Sequence, residues 1–312
     1  NGTSANGSGI KVVNDSNLNN AILNGNSPDG KGVEIAGNLT GSNGSVVQGD
    51  TTNGTGVDIG KQIILDGGLD DLLNVTGNAS GENVTGVQFN GINILDNTSL
   101  AGNATNGTGV DINGLLQNEG NTTIGGQSDH GSGVQLGGGV SGGTVNGTSA
   151  NGSGIKVVND SNLDNAILNG NSLNGKGVEI AGNLTGSNGS AVQGETTNGS
   201  GVDVGENASL SGMGPDDLLT VTGNASGDKG AGVQLDGNNT LNDTTLAGNA
   251  IDGHGVAITG PVSNTGNTTI NGNTANDGHA VHVGGPISGG RVNGNSVNNH
   301  AIFLDDDAAI TN

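Results

Sequence analysis

The sequence predicts an all-β chain folded as a parallel β-helix, or β-solenoid, of about 12–13 coils of 21–31 residues with three short strands per coil. Three observations predict it: repetition at two length scales, apolar residues that alternate with a period of two, and a composition with 65 Gly among 312 residues but only two aromatics, Phe89 and Phe303.

The long repeat comes first. Residues 1–59 match 146–204 at 52 of 59 positions, and "GVEIAGNLTGSNGS" occurs unchanged at 32–45 and 177–190. The chain thus divides into long repeats 1–145 and 146–292 and the start of a third, 293–312, read here as one continuous solenoid, 1–312. Inside each repeat lies a shorter period marked by Gly-Val-x-apolar. Its anchors are Ile10, Val33, Val57, Val87, Val110 and Val134, then Ile155, Val178, Val202, Val233, Val256, Val281 and Ile302. Spacing of this kind belongs to stacked coils.

Each coil element has its own reason. Val33-x-Ile35 and its equivalents alternate apolar and polar, the period of a strand, and nothing repeats at 3.6 residues. A second mark, apolar-x-Gly, recurs at Leu23, Val47, Val75, Leu100, Ile124 and Val145 and predicts the second strand. A third short apolar element (Leu18, Leu39, Leu115/Leu116, Val140) predicts the last. Gly and Asn supply the corners, since both tolerate left-handed backbone. Gly25, Gly49, Gly77, Gly102 and Gly126 are read as such corners. The residues after them, Asn26, Asp50, Asn78, Asn103 and Gln127, predict a side-chain amide ladder. Coils about 4.8 Å apart pair every backbone group with the coil above and below, and a dozen make a rod on the order of 60 Å.

Leu, Ile, Val and Phe make up little over a fifth of the chain, too few for an ordinary globule without repetition. The charge of −22 excludes a nucleic-acid footprint and disfavours anionic membranes. No apolar run is long enough to predict membrane insertion. With no cysteine, packing alone must hold the fold. The chain opens at Asn1 without Met, and the step from Ile302 to Ile310 repeats that from Ile10 to Leu18, so it reads as a piece of a longer array.

Candidate chemistry is sparse. The residues between the paired apolar positions form an outward stripe, Lys11, Glu34, Asp58, Gln88, Asp111, Lys156, Glu179 and Asp203, a surface for partner contact or simply a solvated face on which Glu34 and Asp58 repel. "NGTGVDI" around Asp58 and Asp111 is too long in period for a calcium nonapeptide. His254, His279 and His300 each precede an anchor by two residues and should stack, with His282 beside them, as a weak metal candidate or a pH-sensitive patch; no other metal or cofactor is expected. The same slot holds Ser8, Lys31, Thr55 and Thr108 elsewhere, which makes a plain turn position the simpler reading. The acidic pairs Asp70/Asp71 and Asp216/Asp217 and the run Asp305 to Asp307 are read as solvated loops, because carboxylate pairs that cleave glycosides work in a cleft with aromatic platforms. Asn-x-Ser/Thr occurs 24 times, and Asn38, Asn74, Asn97, Asn121, Asn183 and Asn267 are the glycosylation candidates outside the "NG[ST]G" turn.

With the coil period, the "GVxIxGNLTG" strands and the near-identical long units, the chain resembles the filamentous-haemagglutinin-like bacterial exoprotein adhesins secreted by two-partner secretion, of the EtpA type, in their repeat region. The resemblance covers the whole chain. It implies a right-handed parallel β-helix, secreted or held at the bacterial cell surface, exported by a partner outer-membrane transporter, and binding host cell-surface glycans or proteins as a virulence adhesin. Glycosylation of Asn-x-Ser/Thr is also implied, and no catalytic residues are. The alternatives are a passive stalk of an autotransporter passenger, a polysaccharide-acting β-helix enzyme and an ice-binding solenoid. For the last, Thr51/Thr52, Thr122/Thr123 and Thr268/Thr269 are too scattered to make a flat array.

Overall fold

The computed structural model describes residues 1–68, 71–228 and 230–311, in strands joined by turns, bends and irregular segments. The fold is all-β, a parallel β-solenoid of about 13 coils. It divides into two compact units, Asn1–Gly152 and Ser153–Asn312, a division close to the long-repeat boundary at residue 146.

In the first unit, three ladders of parallel strands form three faces. On the first face the register runs Gly25↔Gly49↔Gly77↔Gly102↔Gly126↔Gly147. On the second, the anchors align as Ile10↔Val33↔Val57↔Val87↔Val110↔Val134. The second unit repeats both, with Gly170↔Gly194↔Gly223↔Gly248↔Gly272↔Gly294 and Ile155↔Val178↔Val202↔Val233↔Val256↔Val281↔Ile302. Like residues stack because a parallel in-register ladder puts equal side chains one strand spacing apart.

The strands are not all short. Leu73–Phe89 and Thr98–Ile112 run unbroken through the corner between the first and second faces. At other corners of the first unit a buried hydroxyl closes the turn: Ser27 Oγ donates to Gly7 O at 2.7 Å, Ser128 Oγ to Gly107 O at 2.8 Å and Ser149 Oγ to Gly131 O at 2.7 Å. In the two long strands the equivalent positions are Ala79 and Ala104, and they pack with Val84 in a small satellite core. A continuous strand needs no hydroxyl to satisfy a corner carbonyl.

The glycines of this corner have a different role from the expected one. Gly25, Gly49, Gly77, Gly102 and Gly126 lie inside strands and are absent from the residues with positive φ. They are required by close approach, since a Cβ on Gly49 would stand 1.9 Å from Gly56 O and one on Gly126 2.1 Å from Gly133 O. Left-handed backbone falls instead on Asn and its neighbours in other turns, among them Asn43 (φ 55°), Asn97 (φ 45°) and Asn188 (φ 54°).

The third face departs from simple stacking. The four-residue strands there that alternate inward and outward point two residues inward, and in several of them only one of the two is large and apolar. Leu65 pairs with Leu95, but Leu116 pairs with Asn93, and in the second unit Leu184 pairs with Ser161 and Val262 with Asn239. Asn93 is buried because it completes the backbone: its Oδ1 accepts the Ile63 N–H at 2.9 Å, as Asn239 Oδ1 accepts the Ala208 N–H at 3.1 Å. Phe89, fully buried between Ile59 and Ile112, is the single aromatic of the described core.

Candidate functional site

Two outward columns run side by side along the second face: the slot two residues before each anchor and the stripe one residue after it. The stripe is not a plain solvated face. Asp58 is 7% exposed and Asp203 6%, and Lys31, from the slot, lies between the two carboxylates that were expected to repel. Its ammonium contacts Glu34 Oε1 at 3.3 Å and also Asp58 Oδ2, while Lys11 meets Glu34 at 3.1 Å and Ser8 Oγ donates to Glu34 Oε2 at 2.7 Å. The second unit repeats the arrangement. Lys156 reaches Glu179 at 3.4 Å, Lys176 reaches Glu179 at 3.3 Å and Asp203 at 3.2 Å, and Ser153 Oγ donates to Glu179 at 2.7 Å.

These pairings set the titration. Burial works to raise Glu34 and Glu179, but the hydroxyl and ammonium donors outweigh it and hold both carboxyls below their ordinary value of 4.5. Burial works to lower Lys31 and Lys176, and the facing carboxylates outweigh it in the other direction. The two copies differ below the cluster. In the first unit Asn90 Nδ2 donates to Asp58 Oδ1 at 2.7 Å. The second unit has Asp236 at that place, itself held by Gln234 at 2.9 Å and Thr259 at 3.1 Å. Asp203 is accordingly raised, first by burial and further by Asp236 and Glu179, against the pull of Lys176.

Lys31→Met is expected to cost about 1–2 kcal/mol: it strands a buried carboxylate, and the discount reflects an ammonium that solvent already screens. The measurement is the denaturation midpoint at neutral pH. The Lys31 contribution is whole below pH 10.5 and is lost as pH rises through the raised lysine, whereas that of Glu34 is whole above pH 4.5 and is lost as pH falls. The variant should therefore approach the parent chain in strong base.

Further along the stripe, Gln88 is half-buried beside Asp58 and Asp111. Asp111 is raised by burial despite donors from Asn113 Nδ2 (2.9 Å) and Gln135 Nε2 (3.4 Å). The expected amide ladder on the first face forms over Asp50, Asn78 and Asn103, with Nδ2 to Oδ1 distances of 2.7 and 2.8 Å, and again over Asn224, Asn249 and Asn273 at 2.8 and 2.9 Å.

The histidines do come together. His254 stacks on His279 at 5.4 Å and on His282 at 4.8 Å between ring centroids, and His279 meets the edge of His300 at 5.1 Å. Phe303, in the stripe column, stacks on His279 at 4.4 Å. His254 Nδ1 accepts the backbone N–H of His279 at 3.1 Å, and His282 Nε2 bonds Asp305 Oδ1 at 3.1 Å. His254 lies face to face with His279 and His282, while His279 meets His300 edge-on; the bonded nitrogens of His254, His282 and His300 go to separate partners, and His279 Nδ1 is buried without one. Among the described residues no group of three or more His, Asp or Glu side chains is arranged to hold a metal ion.

The acidic pairs lie in loops or turns where the structure describes them, but Asp71 and Asp217 have partners there. Asp70 lies outside the described residues, but Asp71 Oδ2 accepts the Asn43 N–H at 2.7 Å. Asp217 likewise accepts the N–H groups of Asn188 (2.8 Å) and Gly189 (3.1 Å). Two successive left-handed residues present their N–H groups to one anion, and the protein's own carboxylate fills that nest. Both residues are turn braces between coils.

Of the glycosylation candidates, Asn121, Asn183 and Asn267 are exposed, and Asn38, Asn74 and Asn97 are half-buried. Asn38 and Asn183 accept backbone N–H groups of Ile64 and Ser209 through Oδ1 at 2.9 Å, and Asn97 Oδ1 accepts that of Asn121 at 3.0 Å. Sequence reasoning missed the bridging role of Lys31 and Lys176; their i,i+3 spacing to Glu34 and Glu179 was the available signal. Comparison with protein-family models, curated proteins and solved structures returns no match to this chain.

Proposed function

We propose that the chain is the repeat region of a large secreted bacterial adhesin of the filamentous-haemagglutinin type, a non-catalytic β-solenoid that supports attachment to host cell surfaces. The observation that carries this reading is the duplicated outer surface. Ser8, Lys11, Lys31, Glu34 and Asp58 recur as Ser153, Lys156, Lys176, Glu179 and Asp203 with the same contacts, so whatever one unit touches the other is built to touch too. Duplicated weak sites act through avidity, which multiplies affinity without any new contact. Engagement of Asp71 and Asp217 as turn braces supports a binding rather than a hydrolytic chain. Absence of cysteine suits export through a partner outer-membrane transporter.

The test is a titration of the soluble chain on cultured epithelial cells and across a glycan array. Saturable binding supports an adhesive surface in these coils. No binding by the chain, where the full secreted protein binds, moves adhesion elsewhere and leaves these coils as a spacer. Internal pairing of the charge columns favours this second reading, since paired charges offer less to a partner.

Glycosylation follows from the same proposal and has its own geometry. The enzyme needs a free amide nitrogen, so occupancy is expected at Asn121, Asn183 and Asn267 and not at Asn78 or Asn103, whose Nδ2 groups are tied into the amide ladder. Peptide mass spectrometry of the natively exported chain checks this site by site.

A further inference from the structure

The slot and stripe columns change character in the second unit. Through Asp203 they carry Lys, Ser, Thr, Gln and acids, but from His254 onward they gather His254, His279, His282, His300 and Phe303 in contact. Where that stack begins both columns become small, with Ala231 in the slot one coil before His254 and Ala257 in the stripe of the His254 coil. A notch of about 330 Å³ opens there, lined by Asn198, Ser200, Asp228, Gln234 and His254.

We infer that this imidazole stack is an acid-sensitive seam: protons taken up as the pH falls through the histidine range push the rings apart and release the coils that carry them before the rest of the unit yields. Neutral rings 4.8 to 5.4 Å apart stack favourably, and the same rings carrying charge repel across one coil spacing. Compensating charge is scarce. Asp305 serves His282 alone, Asp228 lies across the notch from His254, and Asp252 and Asp277 stand two residues ahead of His254 and His279 on the adjoining turns. Four imidazoles thus share one carboxylate in contact.

The direction of titration agrees with the geometry. His254 is held below its ordinary value of 6.5 first by burial and then by His282 and His279, and His279 first by burial and then by His300 and His282. A histidine held low in the folded state contributes stability that is whole above pH 6.5 and is lost as pH falls below it. The second-face strands here, Val256–Ile258, Val281–Val283 and Ile302–Leu304, are three residues long like Val178–Ile180 and Val202–Val204, so strand length does not set these coils apart and the imidazole column does. Coils with Thr55, Thr108 or Ser200 in the slot lack the device.

Hydrogen exchange read by mass spectrometry on the full chain, at about pH 7.5 and about pH 5 and corrected for the intrinsic rate, tests the inference. Val256–Ile258 and Val281–Val283 should lose roughly tenfold or more of their protection at the lower pH, while Val178–Ile180 and Val202–Val204 change less than about twofold. The double variant His254→Thr/His279→Thr places in the slot the residue that Thr55 and Thr108 already show it accepts, and it should abolish the difference. Equal protection of the histidine coils at both pH values in the parent chain would overturn the inference, as would an undiminished loss in the double variant. The parent-chain comparison decides the matter even where the variant folds poorly.

Discussion

Gly126→Ala is expected to destabilise the first unit strongly, while Gly125→Ala, one residue earlier in the same strand, should be neutral or slightly stabilising. A Cβ on Gly126 would lie 2.1 Å from Gly133 O and 2.7 Å from Val134 Cγ2, and the first of these is backbone that the strands above and below hold in place. Relief would require moving a corner shared by neighbouring coils. The cost should reach the upper end of the roughly 1–3 kcal/mol typical of overpacking, or exceed it. A Cβ on Gly125 meets only Leu100 O, at 3.8 Å, and Gly125 has no positive φ. There, alanine removes freedom from the unfolded chain, about 0.4–1 kcal/mol in favour of folding. Denaturation midpoints of the two variants against the parent chain read both effects. Equal midpoints would mean that the Gly126–Gly133 approach leaves room for a methyl group.

Phe89→Ala should be the most damaging change of an apolar side chain. The ring is fully buried between Ile59 and Ile112, and truncating an aromatic in such a place costs roughly 3–5 kcal/mol because the lost transfer energy is joined by a cavity the coils cannot collapse to fill. Phe89→Leu should cost under about 1.5 kcal/mol. The second unit already carries the answer, since Leu235 occupies the same coil position between Val204 and Ile258. The measurement is again the midpoint, with loss of β-sheet circular dichroism as the observable.

Much of this was legible in the residues. The anchors Val33, Val57, Val87 and Val110 align as their spacing predicted, because a parallel ladder admits one register once like residues are placed at like steps. The third face was harder: it alternates which of two inward positions is apolar, so Leu18 and Leu39 looked equivalent in sequence, yet Ser16 is the residue that pairs with Leu39. Contacts between coils were least visible. Lys31 to Asp58 and Asp71 to Asn43 join residues 27 and 28 apart in sequence, and without the coil register neither pair announces itself. Gly126 was found for the wrong reason, since composition reveals that a glycine is needed but not whether φ or close approach demands it.

Retention of chain-coated beads on epithelial cells under flow, as a function of coating density, tests the central claim most directly. If duplicated weak sites mediate attachment, retention rises more steeply than in proportion to density and free chain competes it away. Retention no greater than that of bare beads at every density would contradict an adhesive role for these coils.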